Sequence, residues 1–159
     1  MNVYEIPVVR GAWYVVASEA SRPPDSRRQQ PGTTHHAFYF LDLPGYGYSR
    51  ASRTDRRAFR LLITHTLNRT RLAGVLWLLD IRHEPSADDR AMQQLFAERD
   101  TRVLAALTKS DKLSRSERQP RERGLRESLG LDDDQVIATS TRGGEGIGDL
   151  RESLRRLVG

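Results

Sequence analysis

From residue 37 onward, short apolar runs of strand length alternate with longer stretches whose apolar residues recur at helical spacing. The resulting order is β-α-β-α-β-α-β-α, which predicts an α/β fold in which a mostly parallel sheet is flanked by helices. The predicted strands are nearly all apolar, as expected of strands that are covered on both faces. They are residues 37–43, 72–80, 102–107 and 135–138.

Two of the helical stretches begin with a recognisable start signal. Ser86 with Asp89, and Ser114 with Glu117, match the spacing of a capping box. Pro120 lies inside the second of these stretches. Because proline lacks a backbone N–H and clashes with the preceding turn, we expect it to kink or shorten that helix.

The first 33 residues have a different character. One short apolar stretch, VVRGAWYVV, is followed by a polar, proline-bearing loop from Arg22 to Gly32. We therefore divide the chain into an atypical N-terminal segment, residues 1–33, and an α/β domain, residues 34–159.

Composition excludes several classes of protein. The chain contains no cysteine, which rules out disulfides, thiolate metal sites and a cysteine nucleophile. It has no apolar run near the roughly 20 residues that a membrane helix needs. The 26 basic residues exceed the 21 acidic ones and give a formal charge of +5, which suits an anionic partner such as RNA. We expect a monomeric cytoplasmic protein without membrane association.

The sharpest motif is Thr108-Lys109-Ser110-Asp111, directly after a predicted strand. Ligands of open α/β sheets bind at the carboxyl ends of the strands, where this loop lies. A carboxylate there can accept hydrogen bonds from N1–H and the exocyclic amine of guanine, whereas adenine would offer it a lone pair. The loop therefore predicts guanine recognition, although a four-residue match can also occur by chance in a surface loop.

A second motif, Asp42-Leu43-Pro44-Gly45, also follows a predicted strand and matches the Asp-x-x-Gly loop of GTP-binding domains. The aspartate can hold a water of Mg²⁺, and the glycine lets a backbone N–H approach the γ-phosphate. A plain turn in which proline and glycine serve geometry alone is the alternative.

A third motif, Thr139-Ser140-Thr141, follows the last predicted strand. Its backbone can meet the carbonyl oxygen of a guanine base. Serine and threonine are common in loops, so this motif gains its meaning from its order after the other two.

Three stretches extend these motifs into longer signatures: DLPGYGYSR from Asp42, GVLWLLDIRHEPSADDRAMQQL from Gly74 and LTKSDKLSR from Leu107. They resemble the YihA/EngB family of bacterial GTP-binding proteins over residues 37–159. The resemblance implies a Ras-like G domain with a P-loop NTPase fold that binds GTP and GDP with Mg²⁺. It also implies GTP hydrolysis to GDP, a role in assembly of the large ribosomal subunit with ribosomal RNA or a subunit precursor as partner, and a need for the protein in normal cell division and septation.

The resemblance also assigns residues. Asp42 and Gly45 would serve Mg²⁺ and the γ-phosphate, and the loop of Thr108, Lys109 and Asp111 would hold guanine, with Ser140 and Thr141 at the base edge. Tyr46 stands where many GTPases have a water-orienting glutamine. A phenol cannot orient water as an amide does, so we expect slow intrinsic hydrolysis and assign no catalytic residue.

The sequence departs from the family pattern before residue 37. A P-loop of the form Gly-x-x-x-x-Gly-Lys-[Ser/Thr] is absent, and no lysine precedes Lys109. The segment Gln30-Pro31-Gly32-Thr33-Thr34 resembles the family's switch and would make Thr34 a Mg²⁺ ligand, but only eight positions separate Thr34 from Asp42. We therefore expect an N-terminally incomplete G domain, from a reading frame that begins upstream or is broken near residue 30, or from true degeneration.

Two functions remain open from the sequence. The first is a GTP/GDP switch of the EngB type. The second is a basic remnant of a G domain that binds RNA or protein independently of nucleotide.

Overall fold

The computed structural model describes residues 13–18, 38–43, 53–69 and 72–158. Among the helices in these ranges, none is both long and apolar enough to cross a bilayer. The strands are β1 (Trp13–Ser18), β2 (Phe38–Leu43), β3 (Leu72–Asp80), β4 (Val103–Thr108) and β5 (Val136–Ala138). The α-helices are α1 (Arg53–Leu67), α2 (Ala87–Ala97), α3 (Arg115–Leu129) and α4 (Ile147–Val158).

The five strands form one sheet in the order β2-β1-β3-β4-β5. Strands β3, β4 and β5 are parallel to one another, whereas β1 is antiparallel to both β2 and β3. Because β1 is antiparallel to both neighbours, β2 runs in the same direction as β3. The predicted mostly parallel sheet with flanking helices is therefore confirmed.

The N-terminal segment contributes β1 as an interior strand. Trp13 pairs with Leu43 and with Trp77, whereas Ser18 pairs with Phe38 at the other end of the sheet. Strand β1 therefore begins beside the carboxyl ends of β2 and β3. The chain leaves β1 beside the amino ends of those two strands.

Helices α1, α2 and α3 cover one face of the sheet. Trp77 of β3 is fully buried there and meets Phe96 of α2 edge to face, with ring centroids 5.5 Å apart. Ile63 of α1 and Leu125 of α3 belong to the same buried cluster. Apolar burial of this kind is the main favourable term that holds helices on a sheet.

Helix α4 packs on the other face, where Leu154 is buried against β3 and β4. Gly74 permits this close approach: a Cβ at that position would lie 2.8 Å from both the Arg102 carbonyl oxygen and Leu157 Cδ1. In the described residues, α1, α2 and α3 therefore pack on one face of the sheet and α4 packs on the other.

Both predicted capping boxes are present, at Ser86 with Asp89 and at Ser114 with Glu117. The expectation that Pro120 shortens its helix is wrong, because α3 continues from Arg115 to Leu129. Proline in a helix interior costs about 3 kcal/mol. The capping box and the burial of the C-terminal half of α3 in the core offset that cost.

Candidate functional site

Two loops meet at the carboxyl edge of the sheet, because the strands that precede them are parallel neighbours. Leu107 of β4 pairs with Ala138 of β5. The Thr139 N–H donates to the Leu107 carbonyl oxygen at 2.8 Å, and the Ser110 N–H donates to the Thr139 carbonyl oxygen at 3.1 Å. The loop of residues 108–111 is therefore fastened to the loop that begins at residue 139.

Asp111 and Ser140 form the centre of this edge. Ser140 Oγ donates to Asp111 Oδ1 at 2.7 Å, and the Gly143 N–H donates to Ser140 Oγ at 3.1 Å. Ser140 is 1% exposed, whereas the Asp111 side chain is 23% exposed and can meet a ligand. The hydrogen bond from Ser140, helped by Lys112, lowers the pKa of Asp111. Asp111 is therefore an oriented, ionised carboxylate at neutral pH.

Lys109 lies beside this carboxylate in a left-handed backbone conformation, with φ of 64°. Its Nζ donates to Asp80 Oδ2 at 2.9 Å. Left-handed backbone costs a non-glycine residue about 1–2 kcal/mol. The ion pair with Asp80, at the end of the adjacent strand β3, holds Lys109 in that conformation.

Asp80, at the end of β3, accepts hydrogen bonds from both Lys109 and Arg82. Its side chain is 5% exposed and accepts two hydrogen bonds from the Arg82 guanidinium, at 2.8 and 2.7 Å, and one from the Arg82 N–H. Burial tends to raise the pKa of Asp80, but the hydrogen bonds from Arg82 and Lys109 outweigh burial and hold that pKa well below its ordinary value. The carboxylate is thus ionised at neutral pH.

We expect Asp80→Asn to lower the free energy of unfolding by about 2 kcal/mol at pH 7, because charge-assisted hydrogen bonds to Arg82 and Lys109 are lost. Since the folded-state pKa is lowered, the contribution of Asp80 is present above its ordinary pKa of 3.8 and is lost as pH falls through the folded-state value. Urea unfolding measured from pH 7 to acid should show that the difference in free energy of unfolding between Asp80→Asn and the unaltered protein becomes smaller. Asp134→Asn, which neutralises an exposed carboxylate, is the control, and an equal loss there would contradict the prediction.

Glu145 is hydrogen-bonded to both loops, and it is not among the site residues predicted from the sequence. Ser110, which is fully buried, donates from Oγ to Glu145 Oε2 at 2.7 Å. Arg118 of α3 donates to the other oxygen, and the Ser140 N–H donates to the Glu145 carbonyl oxygen at 3.0 Å. The glycines on either side of Glu145 are the one sequence signal of a tight turn here.

Other predicted site residues have different positions. Asp42 is exposed near the end of β2, three strand spacings or about 14 Å from β4, on the same edge of the sheet. Leu43 is buried in the core, and Thr108 Oγ1 donates to the Leu79 carbonyl oxygen at 3.0 Å, so its hydroxyl serves the sheet. Thr139 is buried and Thr141 is exposed. Thr34, Pro44, Gly45 and Tyr46 lie outside the described residues.

Magnesium fits this edge only in part. Within the described ranges, no three His, Asp or Glu side chains come together as a metal site. Mg²⁺ is commonly held by one or two carboxylates together with phosphate oxygens and waters. The exposed Asp42 supplies one such carboxylate, so a nucleotide's phosphates would have to supply other ligands.

Comparison with known proteins places the chain. No protein-family model matches it. It is 33% identical over 144 residues to the probable GTP-binding protein EngB of Syntrophomonas wolfei, which covers 90% of this chain and 74% of the relative. The chain belongs to the EngB family of GTP-binding proteins.

Two further EngB relatives extend beyond the matched region. The probable GTP-binding protein EngB of Gemmatimonas aurantiaca is 40% identical over 78% of this chain and 61% of the relative. The protein of the same name from Listeria monocytogenes is 36% identical over 71% of this chain and 63% of the relative. The chain thus spans about three-fifths of the length of these two EngB proteins.

A solved structure supports the fold. The crystal structure of a probable GTP-binding protein EngB aligns with a TM-score of 0.65 over 76% of each chain, at 19% identity. The P-loop GTPase fold implied by the sequence resemblance is therefore confirmed.

Proposed function

We propose that this chain is a guanine-nucleotide-binding protein of the EngB type that recognises the base with Asp111. The observation that supports this is the 2.7 Å hydrogen bond from Ser140 Oγ, which fixes one carboxylate oxygen of Asp111 while the side chain stays accessible. An acceptor that is already oriented loses little rotamer freedom when it binds a ligand.

The proposed recognition is a pair of hydrogen bonds. N1–H and the exocyclic amine of guanine donate to the Asp111 carboxylate, which is an acceptor only. Adenine would place a ring lone pair against that carboxylate and leave it unpaired, which is costly. The methylene stem of Lys109 lies along the base while its Nζ stays on Asp80. Ser140 and Thr141 border the base edge.

For the phosphate end, we propose that Asp42, with Gly45 and Thr34, faces GTP or GDP and Mg²⁺. The metal would neutralise phosphate charge there. The sequence has no Gly-x-x-x-x-Gly-Lys-[Ser/Thr] segment. Because Tyr46 stands where many GTPases have a water-orienting glutamine, we infer that GTP hydrolysis is slow.

For the cell, we propose a monomeric cytoplasmic protein that acts in large ribosomal subunit assembly, with ribosomal RNA or a subunit precursor as partner, and so in normal cell division and septation. Membership of the EngB family supports this assignment. The excess of basic residues supports an RNA partner.

One observation favours the alternative, a nucleotide-independent remnant that binds RNA or protein. Strand β1 is antiparallel to its neighbours, and its last residue, Ser18, lies at the sheet edge opposite Leu43. A phosphate-binding loop directly after a strand needs that strand to end at the ligand edge. The connection that leaves β1 does not meet this condition.

Titration of the purified chain with fluorescently labelled GDP separates the two functions. The proposed function predicts saturable binding that unlabelled GDP or GTP competes away and ADP does not. A folded chain that shows no binding at high micromolar concentration would instead support the remnant. Circular dichroism of the same sample establishes that the chain is folded.

A further inference from the structure

The net charge of this chain is concentrated in α1 and the four residues that follow it. Residues 53–71, which comprise α1 and the four residues after it, contain six arginines and one aspartate, a formal charge of +5. The whole chain also has a formal charge of +5, so the remaining residues are neutral as a set. Anion binding driven by net charge is therefore expected at α1 first.

The described arginines of this region are exposed. Arg57, Arg60 and Arg69 are all exposed, and no described acidic side chain lies within ion-pair distance of them. Of the 13 arginines between residues 72 and 158, seven are paired with carboxylates, whereas none of these three is. The seven are Arg82, Arg99, Arg118, Arg121, Arg126, Arg155 and Arg156.

Packing fixes the direction in which this helix presents its charge. Ile63 and Leu67 of α1 are buried in the core, so the helix cannot roll without losing that burial. At 1.5 Å per residue, the ten steps from Arg57 to Leu67 at the end of α1 span about 15 Å. One strand of a nucleic-acid duplex presents about four phosphates over that length.

A depression at the C-terminal end of α1 carries further basic side chains. Its lining includes Arg69, Arg99 and Arg102, with Asp100 as an acidic member. Arg102 Nε donates to the Ala73 carbonyl oxygen at 3.1 Å, which holds that guanidinium in place. Arg99 is paired with Glu98, so we call Arg57, Arg60, Arg69 and Arg102 together the α1 arginine surface.

We propose that the α1 arginine surface docks on the phosphate backbone of RNA. Guanidinium groups pair with phosphate in a bidentate geometry, and release of condensed counterions favours such contacts. An anionic membrane fits less well, because the buried side of α1, with Ile63 and Leu67, is used in the core. Leu61 and Leu62 are the large apolar side chains exposed among the described residues of the helix. The inference rests on the proposed function for the choice of RNA, but it does not require bound nucleotide.

The test is the double variant Arg57→Gln/Arg60→Gln, with fluorescence anisotropy of a labelled RNA duplex over a series of KCl concentrations. We expect RNA affinity at low salt to fall about tenfold, and the slope of log affinity against log salt to become shallower by about 1 to 2. The matched control is Arg155→Gln/Arg156→Gln on α4, which removes the same charge from the other face of the sheet and should have less effect.

Three outcomes would overturn the proposal. They are equal losses in the two double variants, which would indicate net charge alone; no loss in the α1 variant; and binding to phosphatidylserine vesicles but not to RNA. GDP titration of the α1 variant should match that of the unaltered chain. This readout is independent of RNA, so failure of the RNA surface and failure of the guanine site are distinguishable.

Discussion

Replacing Asp111 with asparagine should change the preferred base from guanine to xanthine. The asparagine amide can accept only through its oxygen and donates through its nitrogen, so it meets one guanine donor with another donor. Xanthine presents a carbonyl oxygen where guanine has its amine, and an amide can donate to that oxygen. We expect GDP affinity to fall about 100-fold or more, because one hydrogen bond is replaced by two opposed donors and the other loses its charged acceptor. Xanthosine diphosphate should bind more tightly than GDP.

Competition titrations with GDP, xanthosine diphosphate and ADP measure this change. Ser140→Ala is the companion variant, because it keeps the Asp111 charge and removes the hydroxyl that orients it. That variant should weaken GDP binding by about tenfold without changing the order of base preference. An unaltered preference in Asp111→Asn would reject the assigned guanine site, even if the chain binds GDP.

Replacing Gly146 with alanine should lower the free energy of unfolding by about 3 kcal/mol. Gly146 has a φ of +67°, and a Cβ there would overlap the carbonyl oxygen of Ala138. The left-handed backbone costs alanine about 1–2 kcal/mol, and relief of the overlap requires movement of β5 or of the loop. For a chain of this size, the loss corresponds to a fall in Tm of about 10 °C.

Gly148→Ala is the matched control, because a Cβ at that position meets nothing within 4 Å and Gly148 lies in α4. Alanine favours helix over glycine, so this variant should be unchanged or up to about 1 kcal/mol more stable. Thermal unfolding followed by circular dichroism compares the two. The Gly146 variant should also bind GDP more weakly, because Glu145 and the Ser140 N–H move with the loop. Equal stability of the two variants would contradict the steric argument.

Much of the sheet was predictable because its strands are apolar runs bounded by polar turns. Residues 72–80 were predicted as a strand and form β3, and residues 37–43 differ from β2 by one residue. The sequence indicates only that the stretch VVRGAWYVV is apolar, although part of it forms β1 in the middle of the sheet. A strand's neighbours and direction depend on pairing with residues far along the chain, which local hydrophobic periodicity does not encode.

The candidate site was also predictable only in part from the sequence. Thr108-Lys109-Ser110-Asp111 and Thr139-Ser140-Thr141 were placed on one edge from their positions after parallel strands, and the two loops do meet there. The side-chain contacts that hold these loops in place were not predictable. Lys109 donates to Asp80, which is 29 residues away in the sequence, and Ser110 donates to Glu145, which is 35 residues away.

Local sequence established the α/β order, the capping boxes and the loops that match a guanine-binding motif, because each of these depends on residue types a few positions apart. Tertiary structure alone set the antiparallel direction of β1, the ion pair between Asp80 and Lys109, and which arginines pair with carboxylates. These features depend on burial and on contacts between distant segments. Such contacts form only when the helices pack on the sheet to make the core.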